Sequence, residues 1–294
     1  MPREIVFVVG RGRERAGSAE MRGRQLAELV QQAGAPRVRL ACHDEPIRDA
    51  VAVVNKTAIL KPFADTVARL RAEGCLVLAD FVDIPVVPQV AAEADGFLAA
   101  SELQARHLAA AFPAKPVIHL PHAADIAIPP MRCQWARFAA GYFGRSDTAI
   151  HLAEVVAAGL VTAHETPRAN ANGWIGALPN FNLHYAVRPR AMWGAGFKPF
   201  TKGATAARAG AVMLVDASDE EALAVLGADY PFVMETGADA AAIVARLAAL
   251  RESFGDASWA LARDRMEALR AEMEPAAYLA LIRERFLRHR AVMG

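Results

Sequence analysis

The sequence predicts an α/β protein of two doubly wound, parallel-sheet domains facing a cleft, with a helical C-terminus. Three observations carry this expectation. Short apolar runs alternate with helix-period segments through most of the 294 residues. The alternation breaks over 121–137, where Pro121, Pro129 and Pro130 interrupt a stretch without periodicity, and then restarts. Beyond residue 238 the pattern is purely helical.

The elements follow in order. Ile5–Val9 is a continuous apolar run ending at Gly10, as expected of a strand buried on both faces. Residues 18–33 read as a helix, because Leu26, Leu29 and Val30 recur on one side and Gly34 stops it. Strands are expected at Val38–Cys42, Ala50–Val54, Cys75–Asp80, Gly96–Ala100 and Val117–Leu120, with helices at Pro62–Glu73 and Glu102–Phe112. After the break, Phe138–Phe143, Val161–His164, Leu183–Val187, Ala211–Val215 and Phe232–Met234 read as strands. Residues 147–158, Thr201–Ala209 and Glu220–Leu226 read as helices, followed by 238–253, 256–272 and 275–291. Such alternation implies right-handed crossovers, and ligands are then expected beyond the carboxyl ends of the strands.

Composition narrows the function. Hydrophobic types make up 54% of the chain, enough for substantial cores and too many for a disordered protein. The 33 Lys+Arg against 32 Asp+Glu leave a formal charge of +1, too small a surplus for a dedicated nucleic-acid binder. No run of 18 apolar residues exists, and Met1–Val9 lacks the layout of a signal peptide. Cys42, Cys75 and Cys133 have neither metal-type spacing nor an even number, so they read as free thiols. A cytoplasmic protein is expected, and the Ala, Arg and Val richness suggests a GC-rich, bacterial genome. The oligomeric state is not legible.

The loops after strands hold the chemistry. Gly10–Gly17 is not a dinucleotide fingerprint, since Arg15 stands where the third glycine belongs, and no Gly-Lys-Ser/Thr follows. Ser101 is placed to cap the next helix. Asp80 and Asp83 follow a strand, and either could deprotonate an acceptor hydroxyl in an inverting reaction. Lys56 ends the preceding strand. Arg188 and Arg190 end another, and the Arg188 guanidinium can grip two phosphate oxygens at once. Thr201 is expected to cap the helix 201–209, with Lys198 and Lys202 beside its positive end. Two ammonium groups at a helix N-terminus suit a diphosphate.

Several of these segments resemble the GT-B glycosyltransferases, especially the family 4-like retaining enzymes. Ala94–Ser101 followed by Pro116–Asp125 is similar to the end of that family's N-terminal domain, with His122 in its Pro-His/Asn-Gly motif and Ala123 in place of the glycine. Ala139–Gly144 followed by Arg145 resembles the family's second-domain strand, whose arginine faces the donor diphosphate; Asp147 onward lacks the usual lysine-glycine. Phe197–Val215 resembles the E-x7-E segment, but Phe197 and Thr205 occupy the two glutamate positions.

The resemblance implies an acceptor domain over 1–125, a donor domain over 126–275, and a helix over 276–294 packing back on the first domain. It implies metal-independent transfer from a nucleotide-diphosphate sugar, a co-substrate and not a cofactor, to a carbohydrate or lipid-linked acceptor, with retention the leaning. Arg145, Arg188, Lys198, Thr201 and Lys202 are the expected donor-binding residues. Asp83 and His122 are the expected catalytic residues on the acceptor side, next to the Arg11–Arg15 loop. The basic 281–290 segment would touch an anionic membrane surface at its inner face, or simply pack. A sugar-nucleotide epimerase and a non-catalytic two-domain binding protein are the rival readings.

Overall fold

In the computed structural model, residues 4–60, 65–166, 173–188, 197–289 and 292 are described. They form two units. The first takes the described residues of Met1–Asp125, Trp193–Pro199 and Glu274–Gly294, and the second those of Ile126–Met192 and Phe200–Met273.

The first unit is built on β1 (Ile5–Val9), β2 (Val38–Cys42), β3 (Val51–Asn55), β4 (Leu76–Asp80), β5 (Gly96–Ala99) and β6 (Val117–His119). Their order across the sheet is β2-β1-β3-β4-β5-β6, and every pairing is parallel. All residues of β1 and β3 are buried, which is what helices on both faces of a parallel sheet require. Helix α1 runs as Gly17–Ala19, a π turn over Glu20–Gln25, and Leu26–Gln32. Gly23, within that turn, lets α1 approach the sheet closely: a Cβ there would lie 2.9 Å from Val9 Cγ1. Short helices α2 (Lys56–Ile59), α3 (Thr66–Ala72), α4 (Pro88–Glu93) and α5 (Glu102–Ala111) complete the crossovers. Ser101 caps α5 as expected, accepting from the Gln104 N–H at 3.2 Å. Helix α4 has no counterpart in the periodicity, because six residues are too few to show one.

The second unit repeats the plan with β7 (Ala140–Gly144), β8 (Thr162–Glu165), β9 (Leu183–Ala186), β10 (Val212–Asp216) and β11 (Val233–Met234). The order is β11-β10-β9-β7-β8, again parallel throughout. Read from each unit's own first strand, both sheets begin 2-1-3-4-5. Around this sheet lie α6 (Leu152–Ala157), α7 (Gly173–Ala177), α8 (Thr201–Ala209), α9 (Glu220–Leu226), α10 (Ala240–Glu252) and α11 (Ala257–Met273). Trp259 is buried among Trp135, Phe138, Phe232 and Phe254, and its indole N–H donates to the Leu250 carbonyl at 3.2 Å.

The last helix, α12, runs over Pro275–Leu281 and continues as a π turn over Ile282–Leu287 within the first unit. Ile282 and Phe286 are fully buried, and the Phe286 ring lies 6.4 Å from Phe7. Ile282 and Phe286 of the basic segment thus pack within the first unit, Leu281 and Leu287 are half-buried, and Arg283 donates to the Ala33 carbonyl at 2.9 Å. Arg290 lies outside the described residues. Among the described residues no helix is long and apolar enough to cross a membrane. Cys42, Cys75 and Cys133 are free and buried.

One local device is directly testable. Lys115 donates to the carbonyls of Ala91, Ala92 and Ala94 at 2.7, 2.6 and 2.6 Å, closing the C-terminal end of α4. Lys115→Met is expected to cost about 1–3 kcal/mol, from lost charge-assisted hydrogen bonds. Urea unfolding measures it, and an unchanged midpoint contradicts it.

Candidate functional site

A doubly wound sheet opens a crevice where its strand order reverses, beyond the carboxyl ends of the two strands flanking the reversal. In the second unit those strands are β7 and β9. β7 ends at Gly144 and runs into Arg145, while β9 runs through Val187 into Arg188.

The backbone at Arg145 is held firmly. The Tyr142 hydroxyl donates to the Arg145 carbonyl at 2.5 Å, and Thr148 Oγ1 donates to the same oxygen at 2.8 Å. The Ser146 N–H reaches Glu165, at the end of β8, at 3.0 Å. The Arg145 guanidinium pairs with Asp147 and stays about half exposed, a contact worth little in itself. Arg188 is buried and pairs with Asp219, whose carboxylate also caps α9 through the Ala222 N–H at 3.1 Å. Helix α9 thus orients Arg188 at the crevice.

Helix α8 supplies the third cation. Lys202 Nζ donates to the Phe143 carbonyl at 2.6 Å and lies 4.2 Å from the centre of the Tyr142 ring. A Cβ on Gly144 would fall 2.5 Å from that ammonium, so the glycine makes room for it. Thr201 is the first helical residue and does not cap the helix. The cap position is Phe200, which offers no side-chain hydrogen bond, and its ring folds over Gly203. The expected Thr201 cap is therefore corrected. Phe200 occupies the cap position in its place, and the amides at the start of α8 have no side-chain acceptor at the cap. Lys198 falls in the stretch that groups with the first unit, whereas Thr201 and Lys202 belong to the second. Arg190 lies outside the described residues.

His184, on β9, sits 4.8 Å from the Phe143 ring and is buried. Burial, reinforced by the Lys202 charge, pushes its pKa down to about 3.

The first unit has its own reversal, between β1 and β3. Thr57 Oγ1 accepts from the Gly10 N–H at 3.1 Å, and Asn55 caps α2. In the following loop, Arg11 pairs with Asp44 at 2.5 Å. Lys56 and Asp83 form an ion pair, both about one-fifth exposed. Between Asp80 and Asp83, Val82 adopts φ 59°, a left-handed conformation that a β-branched residue resists. The Gln104 side chain donates to the Val82 carbonyl at 3.4 Å across the same turn. His122 is buried at the end of the β6 connection, and burial, with Arg22's charge next, lowers its pKa to about 4.

Asp80 departs from its expected exposure. It is fully buried and pairs with Arg22 Nε at 2.9 Å, so it meets no acceptor. Arg22 escaped the sequence reading, although the signal was present: it stands four residues before Leu26, on the apolar stripe of its helix. Tyr142 and Asp219, which hold Arg145 and Arg188, carried no comparable signal.

No protein-family model matches the chain, and no curated protein matches it in sequence. Solved structures match its fold. Anabaena HepE in complex with UDP-glucose superposes with a TM-score of 0.60 at 12% identity, covering 96% of this chain and 98% of that one. An α,α-trehalose-phosphate synthase (UDP-forming) from Burkholderia vietnamiensis gives a TM-score of 0.58 at 10% identity, covering 95% and 97%. TarM gives 0.58 at 10% identity over 84% of this chain, which spans only 56% of TarM's length. The chain has the GT-B fold, two Rossmann-like α/β units with a helical C-terminus.

The two buried imidazoles make stability depend on pH. Both fold as the neutral form with lowered pKa, whereas the unfolded chain takes up protons near 6.5. Stability is then complete above pH ~6.5 and falls by a few kcal/mol as pH drops toward about 4 and about 3. His184→Phe is expected to flatten the slope of urea-unfolding free energy between pH 7 and pH 5. Equal slopes in the two proteins contradict this.

Proposed function

We propose that the chain is a glycosyltransferase taking its sugar from a nucleotide-diphosphate donor, without a required metal and with retention. One observation carries the reading: Arg145, Arg188 and Lys202 stand at the carboxyl edge of the β7/β9 reversal, with Lys202 at the opening turn of α8. Cations at a helix N-terminus are unfavourable unless an anion joins them. A diphosphate leaving group is such an anion. The shared fold supports the reading, and so do neighbours solved with UDP or UDP-glucose bound.

On this reading the bond between the sugar's anomeric carbon and the diphosphate oxygen breaks, and an acceptor oxygen takes its place on that carbon. Lys202, Arg145 and the amides at the start of α8 stabilise the charge that grows on the diphosphate. Arg188, oriented by Asp219, adds a two-pronged grip. Lys198 is assigned to the donor as well. Asp83 and His122 serve the acceptor by hydrogen-bonding its hydroxyl, and the one proton that hydroxyl loses passes to the departing diphosphate oxygen. The acceptor is a carbohydrate or a lipid-linked carbohydrate.

Phe197 and Thr205 remain where carboxylates would contact sugar and ribose. Phe197 packs its ring 4.7 Å from His107, and its carbonyl accepts from Ser101 at 3.1 Å. This favours, as the second reading, a protein that binds a nucleotide sugar without transferring it. Product analysis after incubation with UDP-glucose and candidate acceptors separates the two.

Titration calorimetry with UDP tests the donor site. Lys202→Ala is expected to weaken binding about 10–100-fold, the worth of one or two charge-assisted hydrogen bonds. Equal affinity for variant and parent places the diphosphate elsewhere and overturns the assignment.

A further inference from the structure

Arg22 and Asp80 form an ion pair that is 2% and 0% exposed. Such pairs are costly, because removing both charges from water offsets most of their attraction, and apolar residues of similar volume commonly do as well or better. This pair is also incompletely satisfied: Arg22 Nη2 and Asp80 Oδ1 are buried without a hydrogen-bond partner. Stability alone is a poor reason to keep it.

Its geometry supplies another. The π turn over Glu20–Gln25 carries Arg22 on the buried side of α1, and Nη1 donates to the Leu120 carbonyl at 2.7 Å. The next carbonyl, Pro121, accepts from the buried Tyr278 hydroxyl at 2.6 Å. The Leu120 and His122 N–H groups reach the Ala99 and Ala100 carbonyls at 3.0 and 3.1 Å. The turn leading into His122 is thus held from α1, α12 and β5 at once. The His122 ring has Nδ1 3.0 Å from the Ala123 carbonyl. A carbonyl only accepts, so the proton of the neutral ring belongs on Nδ1, and Nε2 keeps its lone pair.

We propose that Arg22, anchored by Asp80, is a positioning residue that holds the Leu120–His122 turn and keeps the His122 ring in its Nδ1–H form on the acceptor side. The proposal rests on the glycosyltransferase reading for the purpose of that ring, but its geometry stands without it. The charged groups acting on the ring are Arg22 from α1, Lys56 from α2 and Asp83 after β4. Of these, Arg22 and Lys56 favour the neutral form and Asp83 opposes it.

The test uses the full chain and imidazole nitrogen NMR, with the His122 signals assigned by their loss in His122→Gln. Arg22→Met combined with Asp80→Leu removes both charges, so neither is left buried alone and the protein is expected to fold. Arg22→Lys retains the charge and loses the planar fork. In the parent, His122 is expected as the Nδ1–H tautomer, titrating near 4. In the double variant the midpoint rises and the tautomers mix; in Arg22→Lys the tautomers mix while the midpoint stays closer to the parent's. UDP affinity is unchanged in both. Parent-like His122 signals in both variants overturn the proposal. Loss of UDP binding in the parent defeats the donor reading instead and leaves the imidazole result to decide this one.

Discussion

The reversal of strand order in a parallel sheet is the constraint on which the rest depends. It forces two neighbouring strands to send their following helices to opposite faces, and leaves an open edge between them. In the second unit that edge ends in Gly144-Arg145 on one strand and Val187-Arg188 on the other. The reversal thus brings two arginines, far apart in sequence, to one rim. The Lys202 ammonium completes it, fixed between a main-chain carbonyl and an aromatic face before any ligand arrives. Charges fixed in advance need little reorganisation when a leaving group develops its own.

The two units share a layout and pair the charges on it in the same way: Arg145 with Asp147 and Arg188 with Asp219 in the second, Arg11 with Asp44, Lys56 with Asp83 and Arg22 with Asp80 in the first. The second adds the Lys202 ammonium, which sits on the Phe143 carbonyl and the Tyr142 ring. The first adds a buried imidazole, His122, whose pKa burial lowers to about 4.

Much of the fold was legible because the strands are buried on both faces. Ile5–Val9 and Ala211–Val215 read as unbroken apolar runs, and they became strands over Ile5–Val9 and Val212–Asp216, with ends shifted by one residue at most. Positions just past strand ends were legible for the same reason, which is how Arg188 was singled out, whereas Arg145 was singled out by the resemblance of its segment to the family's second-domain strand. Features set by tertiary contacts were not. Thr201 looked like a cap by residue type, yet the chain turns at Phe200, whose ring covers Gly203. Asp80 looked like a solvent-facing carboxylate, because nothing local reveals that Arg22, 58 positions away, meets it in the interior. The positive φ of Val82 had no signal either, since sequence rules reserve that conformation for glycine and asparagine.

The most direct measurement is a crystal structure of the full chain soaked with uridine diphosphate. The account predicts diphosphate oxygens at the opening turn of the 201–209 helix, within hydrogen-bond reach of the Lys202 ammonium and the adjoining main-chain amides. Diphosphate bound away from the rim formed by Arg145, Arg188 and Lys202 contradicts it.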